Sequence, residues 1–326
     1  MRFNKDFSQQ YIESDVDHAV LAAWVCQLNK KMKDIRKDLE EYLDEENFDR
    51  DSFDQGLEQD LNDLVQNCPV DDPFSLGQGP NSNPYLKCFI ASLEQEVVRQ
   101  DVGHFQQVQA SLLLQTVRES LESKDFGDEL DNLKRNERAT SKSLLQYILD
   151  LKAAYSKLMI IRLDLYTEDG EEAPRSWERL KKYVEDRYMS SYVGYAVKFE
   201  YGEKRGVHMH TLLFFNGSVV RKDVTMAKAI GEYWNASVTN GKGAYSNCNT
   251  PEHLRNMSYP AVGTFHQFDE RTRKGLECIA KYLTEQDLAV RFAVPGLTRT
   301  LRRGSINQKQ ASRIEKRAKR PAGLSK

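Results

Sequence analysis

Hydrophobic and polar residues alternate along three segments in the C-terminal half of the chain. Alternation with a period of two predicts half-buried β-strands, because successive side chains of a strand point to opposite faces. The three segments span residues 157–166, 193–201 and 207–215. Arg162 and Asp164 take the polar side of the first segment, and Lys198 and Glu200 take the polar side of the second. We expect these polar side chains to share one face of a sheet.

Segments with apolar residues at helical spacing lie between and after these strands. The pattern predicts helices over residues 172–189 and 223–234, then a loop rich in Gly and Asn, a short strand near residues 262–268 and a helix over residues 275–289. The order β-α-β-β-α-β is typical of the split βαβ, or ferredoxin-like, arrangement. The expected fold class is therefore α+β, with helices on one face of an antiparallel sheet and the other face free for a site.

The first 150 residues follow a different pattern, which predicts a mostly α-helical N-terminal region. Helical spacing extends over residues 11–46, 84–101, 104–123 and 140–156. Residues 38–72 are strongly acidic, which fits either a polar helix pair or a partly disordered segment. The region contains neither an internal repeat nor a motif that indicates chemistry.

Charge is distributed unevenly along a chain whose net charge is only −2. Residues 1–150 carry 16 Lys and Arg against 30 Asp and Glu, residues 151–298 carry 21 against 18, and residues 299–326 carry 10 against 1. We therefore divide the chain into an acidic helical region, a near-neutral domain and a basic tail. The tail suits contact with a phosphate backbone; the alternative is a solvated, disordered end.

Composition argues against several classes of protein. The 326 residues, 40% of them hydrophobic, are enough for two domains. No stretch approaches the roughly 20 apolar residues of a membrane span, and residues 1–6 lack a signal-peptide pattern, so we expect a cytoplasmic protein that contacts no membrane. The five cysteines contain no Cys-x-x-Cys pair, which argues against a disulfide framework or a cysteine zinc site.

Two histidines separated by one residue lie near the start of the third segment. His208 and His210 would share one face of a strand. If the preceding hairpin loop is centred on Lys204, Glu200 would lie opposite His208, within ~5 Å. One carboxylate and two imidazoles can hold Mg²⁺, Mn²⁺ or Zn²⁺ and leave positions open for a phosphate oxygen. The alternative is that both histidines only line the polar face of an amphipathic strand.

The block His208-Met209-His210, followed roughly seventy residues later by Tyr282 on a predicted helix, resembles the HUH endonucleases. Their name abbreviates histidine-hydrophobic-histidine. Within that superfamily the chain looks most like the inovirus-type replication initiators of filamentous phages and prophages. The resemblance rests on residues 161–165, 206–210, 233–234 and 282–284 and covers about residues 155–300.

This resemblance implies nicking and rejoining of single-stranded DNA in rolling-circle replication. Tyr282 would attack a phosphodiester and form a 5′-phosphotyrosine, while His208, His210 and Glu200 would hold Mg²⁺ or Mn²⁺. The implied partners are single-stranded DNA at a replication origin and a host helicase and polymerase. The alternative for Tyr282 is a helix tyrosine packed on the core.

Basic residues near these positions are candidates for contact with DNA or its phosphates. They are Arg162, Lys198, Lys281, Arg302 and Arg303. The family usually has a lysine three residues after the tyrosine, whereas this chain has Glu285. Either Arg271, Arg273 or Lys274 takes over that role, or nicking is weakened. Two other functions remain open: a relaxase or transposase of the same superfamily, and a non-catalytic DNA-binding regulator that retains the fold.

Overall fold

The computed structural model describes residues 17–41, 50–77, 82–266, 269, 272–285 and 289–319. The chain divides into a helical unit and a sheet unit. The helical unit comprises Met1–Lys134, Tyr201–Glu203 and Leu288–Gly296, and the sheet unit comprises Arg135–Glu200, Lys204–Asp287 and Leu297–Lys326. Both ends of the predicted helix over 11–46, residues 267–268 of the strand predicted near 262–268, the candidate Arg271 and residues 320–326 of the tail lie outside the described residues. The helix predicted over 275–289 ends earlier, at Thr284.

The helices and strands follow in an order close to the predicted one. The helical unit contains α1 (His18–Glu41), α2 (Arg50–Gln66), α3 (Phe74–Gly77), α4 (Pro84–Arg99), a 3₁₀ turn (Phe105–Gln107), α5 (Ala110–Glu122), the start of α6 (Lys124–Ala154) and, later in the chain, α11 (Val290–Ala293). The sheet unit contains the rest of α6, β1 (Lys157–Thr167), α7 (Ala173–Arg187), most of β2 (Tyr192–Gly202), β3 (Gly206–Asn216), α8 (Asp223–Tyr233), a π-helical turn (Trp234–Val238), β4 (Gly243–Asn247), α9 (Pro251–Arg255), β5 (Gly263–His266), α10 (Arg273–Thr284), β6 (Leu301–Arg303) and α12 (Gln308–Ala318).

Apolar residues at helical spacing form the core of the helical unit. α1 buries Leu21, Leu28 and Ile35, and α2 buries Leu57 and Leu61 in the same cluster. The acidic segment is therefore helical over α2, because leucines recur on one face and leave water while the acidic residues stay on the other. Residues 50–66 of the acidic segment are therefore helical, and residues 42–49 lie outside the described residues.

The sheet has the strand order β4-β1-β3-β2-β6, and β5 also pairs with β1. β1 runs antiparallel to β3, β4 and β5, and β2 runs antiparallel to β6. The predicted α+β class, with a helical N-terminal region before an antiparallel sheet, is confirmed. The order β4-β1-β3-β2 is the one that a split βαβ unit produces.

Helices α7 and α8 cover one face of this sheet. Trp177 of α7 packs against Tyr195 of β2, with ring centroids 5.6 Å apart, and Tyr188 at the end of α7 packs against Phe215 of β3. α8 packs against β1, and the indole of Trp234 just after it donates a hydrogen bond to a β1 backbone carbonyl. This face is the apolar side of the predicted alternation.

The opposite face of the sheet was predicted to be free of helices, but α6 and α10 cover part of it. Tyr147 of α6 lies edge-on against Phe214 of β3, and Leu283 of α10 joins the same buried cluster. The reason is local composition: residues 158–161 of β1 and 212–215 of β3 are apolar on both sides, so both sides are buried. The polar side chains of the two strands lie beyond that covered part.

The basic segment that begins at residue 299 contributes to the sheet unit. β6 pairs with β2 through Arg302 and Val197, and the helix α12 follows it. Gln310 of α12 is buried and donates a hydrogen bond to the backbone carbonyl of Val193. This part of the predicted tail is ordered by its backbone pairing with β2.

Candidate functional site

The register of β1 and β3 brings the polar residues of two strands to one area. Asp164 pairs with His210, and Tyr166 pairs with His208. A three-residue loop centred on Lys204, as the sequence predicts, joins β3 to β2, which lies beside β3 in the sheet. Gly206 starts β3 with φ of +60°, a conformation that glycine adopts without strain. Asp164, Tyr166, His208 and His210 all belong to the sheet unit.

The three predicted metal ligands lie together. Oε2 of Glu200 is 3.0 Å from Nε2 of His210 and 3.6 Å from Nε2 of His208. One ligand atom from each side chain lies within 4.8 Å of the others, so these residues could hold a metal ion. Two imidazole nitrogens and one carboxylate oxygen leave further coordination positions for water or substrate.

Both histidines are oriented by contacts at Nδ1, the ring nitrogen that does not face Glu200. Nδ1 of His208 lies 3.1 Å from the backbone carbonyl oxygen of Gly206, and Nδ1 of His210 lies 2.8 Å from Oδ1 of Asp164. Metal-ligating histidines almost always donate their second ring N–H to such an oxygen. Asp164 is therefore part of the site. The alternating pattern of β1 predicts that Asp164 lies on this face, but it does not predict that Asp164 orients His210.

The buried charges of the site stabilise one another. Burial opposes a charged His210, but hydrogen bonds to Asp164 and Glu200 outweigh it and raise the pKa of His210 to about 9. Burial likewise opposes charge on Glu200, yet hydrogen bonds from His208 and His210 lower its pKa to about 2. Burial also opposes charge on Asp164, but the hydrogen bonds and positive charges of His210 and Arg162 outweigh it and lower the pKa of Asp164. Without a metal, His210 is thus a cation between two carboxylates.

Tyr282 lies at this cluster although it comes from α10. Its hydroxyl oxygen is 3.0 Å from Nε2 of His210, and the two rings are 5.2 Å apart. Helix α10 buries Leu276, Ile279, Ala280 and Leu283 in the core, while the Tyr282 side chain is 38% exposed. Burial, followed by the nearby charge of Glu200, raises the pKa of Tyr282 to about 12.

Two of the candidate phosphate-binding residues have internal partners close to Tyr282. Arg162 donates from Nε to Asp164 at 3.1 Å, and its guanidinium carbon lies 5.1 Å from the ring centre of Tyr282. Lys198 is only 1% exposed, and its Nζ donates to the backbone carbonyl of Glu285, 2.6 Å away, just after α10 ends. Arg162 and Lys198 therefore contact groups of the site itself, Asp164 and the end of α10.

The remaining basic candidates are spread over the sheet unit. Lys281 is exposed on α10 beside the tyrosine. Arg302 lies against the ring of Phe199 on the α7 face, whereas Arg303 lies over the ring of Tyr147 on the opposite face. Of the candidate substitutes for the family's lysine, Arg273 pairs with Glu277 and Lys274 donates to the hydroxyl of Tyr259.

No model of a protein family, no curated protein and no solved structure matches the chain. The resemblance to the HUH endonucleases therefore stays a prediction from local motifs. None of the helices in the described part of the chain is long and apolar enough to cross a membrane. The geometry of Glu200, His208, His210 and Tyr282 is the basis on which a function can be proposed.

Proposed function

We propose that this protein is a metal-dependent endonuclease that nicks and rejoins single-stranded DNA through a 5′-phosphotyrosine on Tyr282, as an initiator of rolling-circle replication does. One observation carries the proposal. The hydroxyl of Tyr282 lies 3.0 Å from Nε2 of His210, 72 positions away in sequence, within a cluster that could hold a metal ion. A nucleophile and a set of metal ligands in one partly exposed place suit phosphoryl transfer.

The ligand set fits a divalent cation, which we propose to be Mg²⁺ or Mn²⁺. Glu200, His208 and His210 would hold the cation, and Asp164 and the carbonyl of Gly206 would keep the two imidazoles turned toward it. When bound, the cation would supply Lewis-acid polarisation of the scissile phosphate and neutralise the charge that develops there.

Tyr282 supplies the nucleophile. Its phenolic oxygen attacks phosphorus, a Tyr–O–P bond forms and the P–O3′ bond breaks. The phenolic proton leaves to solvent, which reaches this half-exposed side chain, and the released 3′ oxygen takes up a proton. Burial raises the pKa of Tyr282 to about 12, and the positive charge of Arg162 over the Tyr282 ring offsets part of that rise. Because the phosphotyrosine retains the energy of the broken bond, the 3′-hydroxyl can attack it and restore the strand.

The covalent step is tested with purified full-length protein and Mn²⁺ on a pool of random-sequence single-stranded DNA. We expect a protein–DNA adduct that survives denaturation, that disappears with a chelator and that Tyr282→Phe does not form. Tyr245→Phe is the matched control, because Tyr245 pairs with Leu165 on the edge strand β4, away from the cluster, and should keep the wild-type yield.

Binding of DNA without cleavage in either metal would contradict the proposal and favour a non-catalytic regulator. Sequencing the captured DNA gives the cleavage motif. A plasmid that carries this motif and replicates only with active protein would identify an initiator. A motif that supports strand transfer without replication would identify a relaxase or transposase of the same superfamily. Replication in the presence of host extract also tests the proposed helicase and polymerase partners.

A further inference from the structure

A cavity of about 280 Å³ opens beside Tyr282 in the sheet unit. Its walls come from the loop that follows α9, from α10 and from Arg162 of β1. The walls include Met257, Tyr259, Val262, Cys278, Ile279 and the ring of Tyr282. Most of these side chains are apolar, and the cavity directly adjoins the proposed nucleophile.

The cavity is open to solvent at aromatic side chains. Tyr259 is 45% exposed and Tyr282 is 38% exposed, so two large rings of the wall remain in contact with water. Cys278, one helical turn before Tyr282, is also exposed. Large rings left exposed around a recess indicate a binding surface more than a packing gap. The volume lies near the lower end of ligand pockets, which suits a single planar heterocycle.

The proposed reaction brings such a heterocycle to this position. A phosphate in line with the hydroxyl of Tyr282 is joined to a nucleotide on each side, and the base of an unpaired nucleotide has two apolar faces to remove from water. Proteins that bind single-stranded DNA stack these faces on aromatic side chains. We propose that this cavity binds the base of a nucleotide that flanks the cleaved phosphodiester. The inference rests on the proposed function, which it extends from the phosphate to the neighbouring base.

Cys278 provides a direct readout of cavity occupancy that needs no cleavage. Its exposed thiol can be alkylated, and peptide mass spectrometry follows its rate separately from that of Cys26 in the helical unit. The probes are short single-stranded oligonucleotides added to metal-free Tyr282→Phe protein, next to an abasic backbone of equal length. We expect base-bearing DNA to slow alkylation of Cys278 by about tenfold or more, with little effect of the abasic backbone.

Equal protection by both polymers, or protection by neither, would overturn the base pocket. An unchanged rate at Cys26 rules out a general effect of DNA on thiol reactivity. This outcome is independent of the nicking reaction. If base-bearing DNA protects Cys278 of the wild-type protein but no adduct forms, the base pocket is supported and the endonuclease proposal is refuted. If an adduct forms without protection of Cys278, the endonuclease is supported and the base pocket is refuted.

Filling the cavity gives a second test. Cys278→Phe would occupy the space of the base, whereas Glu277→Phe adds the same ring at an exposed position of α10 that does not line the cavity. With matched melting temperatures, we expect Cys278→Phe to lower adduct formation about tenfold and to lose the preference for a normal over an abasic flanking nucleotide. Equal behaviour of the two variants would contradict the assignment.

Discussion

His210 is the residue on which the site depends most. Its ring lies between two carboxylates, with Asp164 at Nδ1 and Glu200 at Nε2, at 2.8 and 3.0 Å. The Glu200, His208 and His210 cluster was predictable from the sequence, because a short hairpin brings residues ten positions apart together. The role of Asp164 was not predictable, because it depends on the register between β1 and β3, which pairs Asp164 with His210, 46 positions away.

Asp164→Asn should weaken Mn²⁺ binding to the full-length protein about 10- to 100-fold, measured by calorimetric titration. Asparagine can still accept from Nδ1 of His210 but lacks the negative charge that makes the imidazole a stronger ligand. Glu168→Gln, exposed just beyond the end of β1, is the charge-matched control and should bind Mn²⁺ as the wild type does. Equal affinities of the two variants would remove Asp164 from the site.

The metal-free cluster should stabilise the protein in a definite pH window. The pKa of His210 rises from about 6.5 to about 9, so its contribution is complete below about pH 6.5 and is lost as the pH rises through 9. The pKa of Glu200 falls from about 4.5 to about 2, so its contribution is complete above about pH 4.5 and is lost on acidification.

In chelator, the melting temperature of the wild type minus that of His210→Gln should therefore be largest between about pH 4.5 and 6.5 and shrink toward pH 9. Glutamine cannot titrate, so the difference reports on the imidazolium. A difference that grows above pH 7 would mean that His210 is not held as a cation by the two carboxylates.

Among the elements, strands were predictable where large apolar residues alternate. β1, β2 and β3 satisfy this condition and lie at the centre of the sheet. β4 and β6 were missed, because Gly243–Asn247 contains a single large side chain and Leu301–Arg303 is a three-residue edge strand with two arginines. Such strands are held by backbone pairing with a neighbour that is distant in sequence, which leaves little trace in the residue pattern.

The end of α10 should depend on Lys198. Its buried Nζ donates to the carbonyl of Glu285, 87 positions away, next to the helix that carries Tyr282. Lys198→Met keeps the length of the side chain and removes the donor, at a cost of about 1.5–3 kcal/mol for a charged hydrogen bond. We expect faster hydrogen exchange at residues 282–285 and slower adduct formation. Lys281→Met, at an exposed position of the same helix, should leave the exchange unchanged. Equal exchange rates in the two variants would contradict a role of Lys198 at the end of α10.

At the scale of the whole chain, the structure separates the chemistry from the acidic helices. Each residue of the proposed site belongs to the sheet unit, whereas residues 1–134 of the acidic N-terminal region belong to the helical unit. The sequence predicts a boundary between the helical region and the next domain near residue 150, whereas the two units divide at residue 134, within α6. The predicted helix over 140–156 is the second half of α6, which begins at Lys124 and continues from one unit into the other.

Mn²⁺ should therefore protect one unit selectively. A ligand at 100 times its Kd stabilises the state that binds it by about 2.7 kcal/mol. By hydrogen exchange, we expect slower exchange in β3 and α10 and no change in α1, α4 and α5. Protection confined to the helical unit would place the metal elsewhere. The His208→Ala and His210→Ala double variant is the control that should lose the effect.

Identification of the residue that carries DNA is the most direct test of the account. Wild-type protein is incubated with Mn²⁺ and cleavable single-stranded DNA, the adduct is digested with nuclease and protease, and the modified peptide is sequenced by mass spectrometry. We predict a nucleotide attached through phosphate to Tyr282, in the peptide that contains Lys281-Tyr282-Leu283 or begins after Lys281. A nucleotide on Tyr245 or Tyr259, or cleavage with no modified tyrosine, would contradict it.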